Sequence, residues 1–142
     1  MVFGVLVDAQ LEDLTSMKFT WEIDNFTTLN TRNFYSDIFV AGGYKWRILI
    51  FPKGSNNVGW FSMYLDAADS GTLPDGWSRY FQLSLAVVNQ IHSKDSVTKE
   101  THHQFCTTEI DLGFTCFMPL IELYDPSRGY LVNDTVFICL YV

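Results

Sequence analysis

Positive charge is scarce in this chain. Nine Lys and Arg stand against 16 Asp and Glu in 142 residues, for a net charge of −7. The basic residues form no cluster, which excludes a surface that tracks nucleic-acid phosphates. Cysteine is also sparse. Cys106, Cys116 and Cys139 are odd in number and include no Cys-x-x-Cys, so neither a disulfide framework nor a zinc ribbon is built from them. They read as reduced thiols of a cytoplasmic or nuclear protein. No apolar run approaches the roughly 20 residues of a membrane-spanning helix. Met1–Val7 is apolar but has no basic residue before it, and Asp8, Glu12 and Asp13 follow, which argues against a signal peptide. No glycine-rich phosphate loop occurs; Gly42-Gly43 reads as a hairpin turn.

What the chain does have is apolar bulk. Hydrophobic residues make up 48%, aromatics 16% and charged residues 18%, the balance of one globular domain rather than a disordered chain. Residues 1–16 lack periodicity and read as a weakly structured leader, with the domain spanning 17–142. Phe19–Ile23 alternates with period two, as a half-buried strand does. Phe34–Val40 reads as a second strand. Tyr44–Phe51 begins by alternating and ends apolar on both faces, the mark of a strand in mid-sheet. Ser55-Asn56-Asn57 reads as a turn, Trp60–Asp66 as a strand and Ala67–Asp75 as a polar excursion. In Arg79–Val88, Tyr80, Gln82 and Ser84 alternate with Phe81, Leu83 and Leu85. Ser96–Cys106 has the polar composition of an edge strand. Asp111–Phe114 reads as a turn leading into a short strand, Thr115–Met118. Pro119–Leu123 reads as one helical turn, and Tyr130–Val132 and Thr135–Val142 as the last strands. About eight short strands with at most one short helix predict an all-β antiparallel sandwich.

The candidate chemistries are few. Gly113-Phe114-Thr115-Cys116-Phe117-Met118 resembles the nucleophile segment of thiol-dependent ubiquitin proteases. Phe114 stands where that family has an Asn, and an apolar ring donates nothing to an oxyanion. All three histidines precede Cys116, whereas that family's base lies far downstream. His102 and His103 are adjacent, so on a strand they point to opposite faces. His102 and Cys106 share a face, but two ligands fall short of the three or four that zinc takes. The acid pairs Asp66/Asp69 and Glu109/Asp111 flank loops, as solvated carboxylates do. The aromatics sit mostly at alternating strand positions, which puts them in a core before a sugar-binding face. No cofactor is implied.

Several ordered blocks resemble MATH domains, the meprin and TRAF homology fold. Phe19-Thr20-Trp21-Glu22-Ile23-Asp24-Asn25-Phe26 is similar to the opening strand. Tyr44–Phe51 with Pro52-Lys53-Gly54 is similar to the central strand and its turn. Ser62-Met63-Tyr64-Leu65 and Asp111-x-Gly113-Phe114 match later blocks. Leu73–Tyr80, Ser84–Gln90 and Tyr124–Thr135 are similar to the amino-terminal MATH domains of plant ubiquitin-specific proteases related to the herpesvirus-associated enzyme. The resemblance implies a TRAF-like eight-stranded sandwich and a non-catalytic role in the ubiquitin pathway. It implies protein partners; nucleic acid, membrane and metal are set aside by the composition above, and a monomer is expected because no heptad segment for a coiled coil occurs. It further implies a groove that takes short linear segments of partners by strand addition. Carried over by position, Asp111, Gly113 and Phe114 match the docking motif, Tyr64 and Phe81 its aromatic pocket, His103 a groove residue and Lys53 a basic contact. Leu112 stands where the family has Trp, which removes ring area and an N–H donor and predicts weaker or altered affinity. After Asn133-Asp134-Thr135 the chain departs from the family into Phe137–Val142, as a shortened C-terminal end would. Four readings therefore stand: a peptide-docking module, a degenerate MATH fragment with little binding, a deubiquitinase using Cys116, and a sugar-binding sandwich using Trp60 or Trp77.

Overall fold

The computed structural model of the protein describes residues 2–6, 17–55 and 59–142. Ten strands are present among them: β1 Val2–Leu6, β2 Met17–Ile23, β3 Phe34–Tyr35, β4 Phe39–Ala41, β5 Tyr44–Phe51, β6 Trp60–Ala67, β7 Ser78–Val87, β8 Val97–Cys106, β9 Asp111–Pro119 and β10 Val136–Tyr141. A single helical turn, α1 Leu120–Leu123, follows β9. One sheet runs β1-β2-β10-β7-β8 and the other β3-β5-β6-β9, with β4 also paired to β5. Every pairing is antiparallel. The expected sandwich is present, and β8 is the edge strand that its polar composition predicted.

The core follows from the alternation. In β6, Phe61, Met63 and Leu65 are wholly buried, and in β7 Phe81, Leu83 and Leu85 face inward. Trp46 at the centre is fully buried, and its indole Nε1 donates to the Ala41 carbonyl at 3.0 Å, so burial leaves no orphaned donor. Phe19 and Phe39 stack between the sheets with centroids 3.8 Å apart.

Four sequence expectations need correction. The leader is not wholly outside the fold: Val2–Leu6 pair antiparallel with β2, while residues 7–16 lie outside the described residues. The turn expected at Ser55-Asn56-Asn57 is not one of these, since its residues 56 and 57 also lie outside the described residues. Phe34–Val40 is two strands because Ser36 takes the ladder position itself. Its hydroxyl accepts from Ile48 N–H at 2.8 Å and donates to the Asp37 carbonyl at 2.9 Å. Tyr130–Val132 forms no strand. Val132 bridges Thr135 across Asn133 and Asp134, both with positive φ (52° and 57°), a tight turn that Asn and Asp tolerate. Most consequential, Asp111–Phe114 is not a turn. The turn lies earlier, where Cys106 and Glu109 exchange backbone hydrogen bonds of 3.1 and 3.0 Å, and β9 is already extended at Asp111. Gly42-Gly43 is the expected hairpin turn, with φ of 60° and 81°.

Two of the blocks read as subgroup-like are one joint. The Asn89 side-chain amide donates to the Arg128 carbonyl at 2.9 Å, and its carbonyl accepts from the backbone of Ile91 and His92. Gln90 Nε2 donates to the carbonyls of Tyr130 and Thr135 at 2.9 and 2.8 Å. Asn89 is buried, so Asn89→Ala strands three backbone groups. Its expected cost is about 2 kcal/mol, read by urea unfolding. A loss indistinguishable from zero would mean that the joint does not hold the 125–135 loop.

Candidate functional site

The site residues converge on β9, the terminal strand of its sheet. β9 pairs with β6 in the register Asp66↔Asp111, Leu65↔Leu112, Tyr64↔Gly113 and Met63↔Phe114. Cross-strand partners share a face. Asp111, Gly113 and Thr115 therefore lie on the outer face with Asp66, Tyr64 and Ser62, while Leu112 and Phe114 turn inward and pack against the margin of the core. The Ile110 carbonyl accepts from Ala67 N–H at 2.9 Å. Ladder groups alternate by residue, so the backbone N–H and C=O of Asp111 and Gly113 face away from β6.

Gly113 is required by close approach, not by conformation. A Cβ there would lie 2.5 Å from Tyr64 Cα and 2.9 Å from the Met63 carbonyl carbon. Tyr64 lies beside it, and its hydroxyl is 2.8 Å from Thr115 Oγ1. Ser62 donates to the Thr115 carbonyl at 2.6 Å where β9 bulges, and Ser55 Oγ sits 3.2 Å from Ser62 Oγ. Thr115, Ser62 and Ser55 were not legible as site residues. The signal that could have found them is the set of hydroxyls on β6, on β9 and in the segment after β5.

At the other end lie carboxylates. Asp66 is buried and pairs with Arg47 at 2.8 Å. Partial burial of the Asp111 carboxyl, then the like charge of Asp66, raise its pKa above the usual 3.8, with His103 pulling the other way. A raised carboxyl pKa means that the protonated form suits the fold. That contribution is complete below the ordinary Asp value and is lost as pH rises through the raised one. Asp111→Asn should therefore melt with wild type at about pH 3 and above it at about pH 7. Melting below wild type at neutral pH would contradict this environment.

His103 faces inward from β8 at the same margin, 4.0 Å from Glu109 and edge-on to Phe105. Its Nε2 is buried and has no hydrogen-bond partner, a costly state that an incoming polar group would relieve. His102, by contrast, points to solvent, so the two histidines do occupy opposite faces. Phe81 is His103's register partner, but it is 7% exposed and packs on Trp46 at 4.4 Å, behind the margin rather than lining it. Lys53 is exposed in the turn after β5, at the Ser55/Ser62 end. The structure thus gathers Tyr64, Asp111, Leu112, Gly113, Phe114 and His103, sets Phe81 behind them, and keeps Lys53 at the far end of the strip.

Cys116 lies half-buried within the β9 bulge. Among the described residues no group of three or more His, Cys, Asp and Glu could hold a metal ion, and no helix is long and apolar enough to cross a membrane. A shallow depression of about 510 Å³ lies on the other sheet, lined by Gln82, Ser84, Glu100, His102 and Tyr141 among others.

A family model described as the MATH domain matches residues 18–142. Ubiquitin C-terminal hydrolases 12 and 13 of Arabidopsis thaliana are each 68% identical over 127 residues. That match covers 89% of this chain and 11% of each hydrolase, so the chain spans about a ninth of their length. A MATH domain and coiled-coil domain-containing protein of the same plant is 48% identical over 117 residues, covering 82% of this chain and 39% of that protein. Among solved structures, TRAF5 of Notothenia coriiceps superposes with a TM-score of 0.67 at 21% identity, over 87% of this chain and 71% of that one. At that identity the likeness concerns the fold.

Proposed function

The chain belongs to the MATH domain family, and on that footing we propose that it is a non-catalytic docking module for short linear segments of partner proteins. An extended segment adds along the outer edge of β9, hydrogen-bonding to the backbone at Asp111 and Gly113. Its side chains alternate between the outer face, beside Tyr64 and Asp111, and the margin, beside His103, Leu112 and Phe114. The observation that carries this reading is the position of β9 at the end of its sheet with those backbone groups turned outward. The buried, unpartnered His103 Nε2 supports it as a contact that a ligand completes. So does Asp111, exposed at the start of β9 opposite Asp66 and within reach of a docked segment.

The MATH match over residues 18–142 supports a non-catalytic role for this stretch. The 68% identity to two ubiquitin C-terminal hydrolases supports partners in the deubiquitination pathway. Three cysteines outside any disulfide support a cytoplasmic or nuclear site. Leu112 in place of the family Trp supports modest affinity, because such anchors are often worth about 2 kcal/mol. Labelled peptides of the small-x-x-Ser type, titrated by fluorescence anisotropy, test the assignment. Asp111→Ala should weaken binding by about tenfold, the loss of one charge-assisted hydrogen bond. Equal binding by both proteins, or none by either, would count against it.

A further inference from the structure

The free edge of β9 differs along its length. Over Asp111–Gly113 the backbone groups turned away from β6 are available to a new strand. At the bulge the pattern breaks: the Thr115 carbonyl turns to Ser62 Oγ, and the next carbonyl along the strand is that of Cys116. It does not remain open. Lys99, inward-facing on β8, spans the margin, and its Nζ donates to the Cys116 carbonyl at 2.8 Å. The half-buried ammonium also lies 5.8 Å from the Phe114 ring centroid and 5.6 Å from that of Phe117.

We propose that Lys99 terminates the docked strand, and so sets the length and register of the segments this site accepts. The inference rests on the strand-addition reading above. A strand that pairs past Thr115 needs the Cys116 carbonyl as an acceptor. It would have to displace a charge-assisted hydrogen bond and draw the ammonium off two aromatic faces. Lysines that guard sheet edges against further pairing work in the same way. The docked segment therefore ends where Lys99 stands. It covers Asp111–Thr115, about five residues of extended chain, and lengthening it toward Cys116 gains nothing. Lengthening at the opposite end is unaffected by Lys99.

The test uses one labelled core peptide, Ala-Thr-Val-Ser, extended by Thr-Val units at either end. Each is titrated against wild type, Lys99→Met and Lys99→Arg. In wild type and the Arg variant, extension at one end should leave the dissociation constant unchanged. In the Met variant the same extension should tighten binding about threefold to tenfold, the gain from one more backbone hydrogen bond. Lys99→Gln repeats the measurement if the Met variant fails to fold. If all proteins respond alike at both ends, docking stands and the role of Lys99 is overturned. If the core peptide binds none of them, the docking reading itself falls and takes this inference with it.

Discussion

Gly113→Ala is expected to lower the unfolding free energy by about 3 kcal/mol, near the top of the range for overpacking, and to abolish peptide binding. The added methyl group would meet Tyr64 Cα at 2.5 Å and the Met63 carbonyl carbon at 2.9 Å. These are backbone atoms of the neighbouring strand and have no rotamer to yield with. Relief requires β9 to move off β6, which tears the register that sets Asp111 opposite Asp66 and Gly113 beneath Tyr64. Urea unfolding followed by tryptophan fluorescence gives the stability, and the peptide titration gives the binding. A variant as stable as wild type would show that β9 does not pack as described.

The second large effect belongs to Asp69→Ala, expected to cost about 3 kcal/mol by stranding a buried cation. The Arg79 side chain is 3% exposed and pairs with Asp69 at 2.7 Å, while Asp69 is 23% exposed. Apart from that carboxylate, the guanidinium has the Lys45 carbonyl at 3.3 Å and the rings of Tyr44, Trp46 and Trp77 within 4.4–5.3 Å. Those contacts lower the penalty but leave the charge unneutralised. Adding Arg79→Met to Asp69→Ala should recover most of the loss, because the cation goes with its partner. A double variant no more stable than the single one would mean that Asp69 acts through the loop after β6 and not through the ion pair.

Much of this architecture is legible in the residue order. β5 matches its reading end for end because Tyr44–Phe51 is bounded by a glycine pair and by Pro52, both local signals. β7 follows from alternation and β8 from its polar, β-compatible composition. The failures have a common cause, a side chain whose task is not local. Ser36 interrupts a plausible strand by bonding Ile48, twelve residues away. Asp111-x-Gly113 looks like a turn, since Asp and Gly favour turns. Here the glycine answers to the backbone of β6 and the aspartate to a sheet margin. Asn89 and Gln90 look like a polar strand end until the chain returns about 40 residues later.

The candidate site residues come from the resemblance more than from chemistry. Asp111, Gly113 and Tyr64 fall together because register makes them neighbours. Phe81, which matches the family's aromatic pocket by position, lies in the inward row of β7 and packs beside Trp46. Lys99 was silent because a lysine in a polar edge strand reads as solvated. Its contact with the Cys116 carbonyl depends on a bulge that no pattern of residues announces.

The measurement closest to the central claim is a backbone amide chemical-shift titration of the isotope-labelled protein with the Ala-Thr-Val-Ser peptide. Strand addition at β9 predicts the largest shifts at Asp111, Gly113 and Thr115, with smaller ones at Tyr64 and His103, and little change at Gln82, Glu100 and Tyr141 on the other sheet. Saturable shifts confined to that second group, with β9 unmoved, would contradict the account.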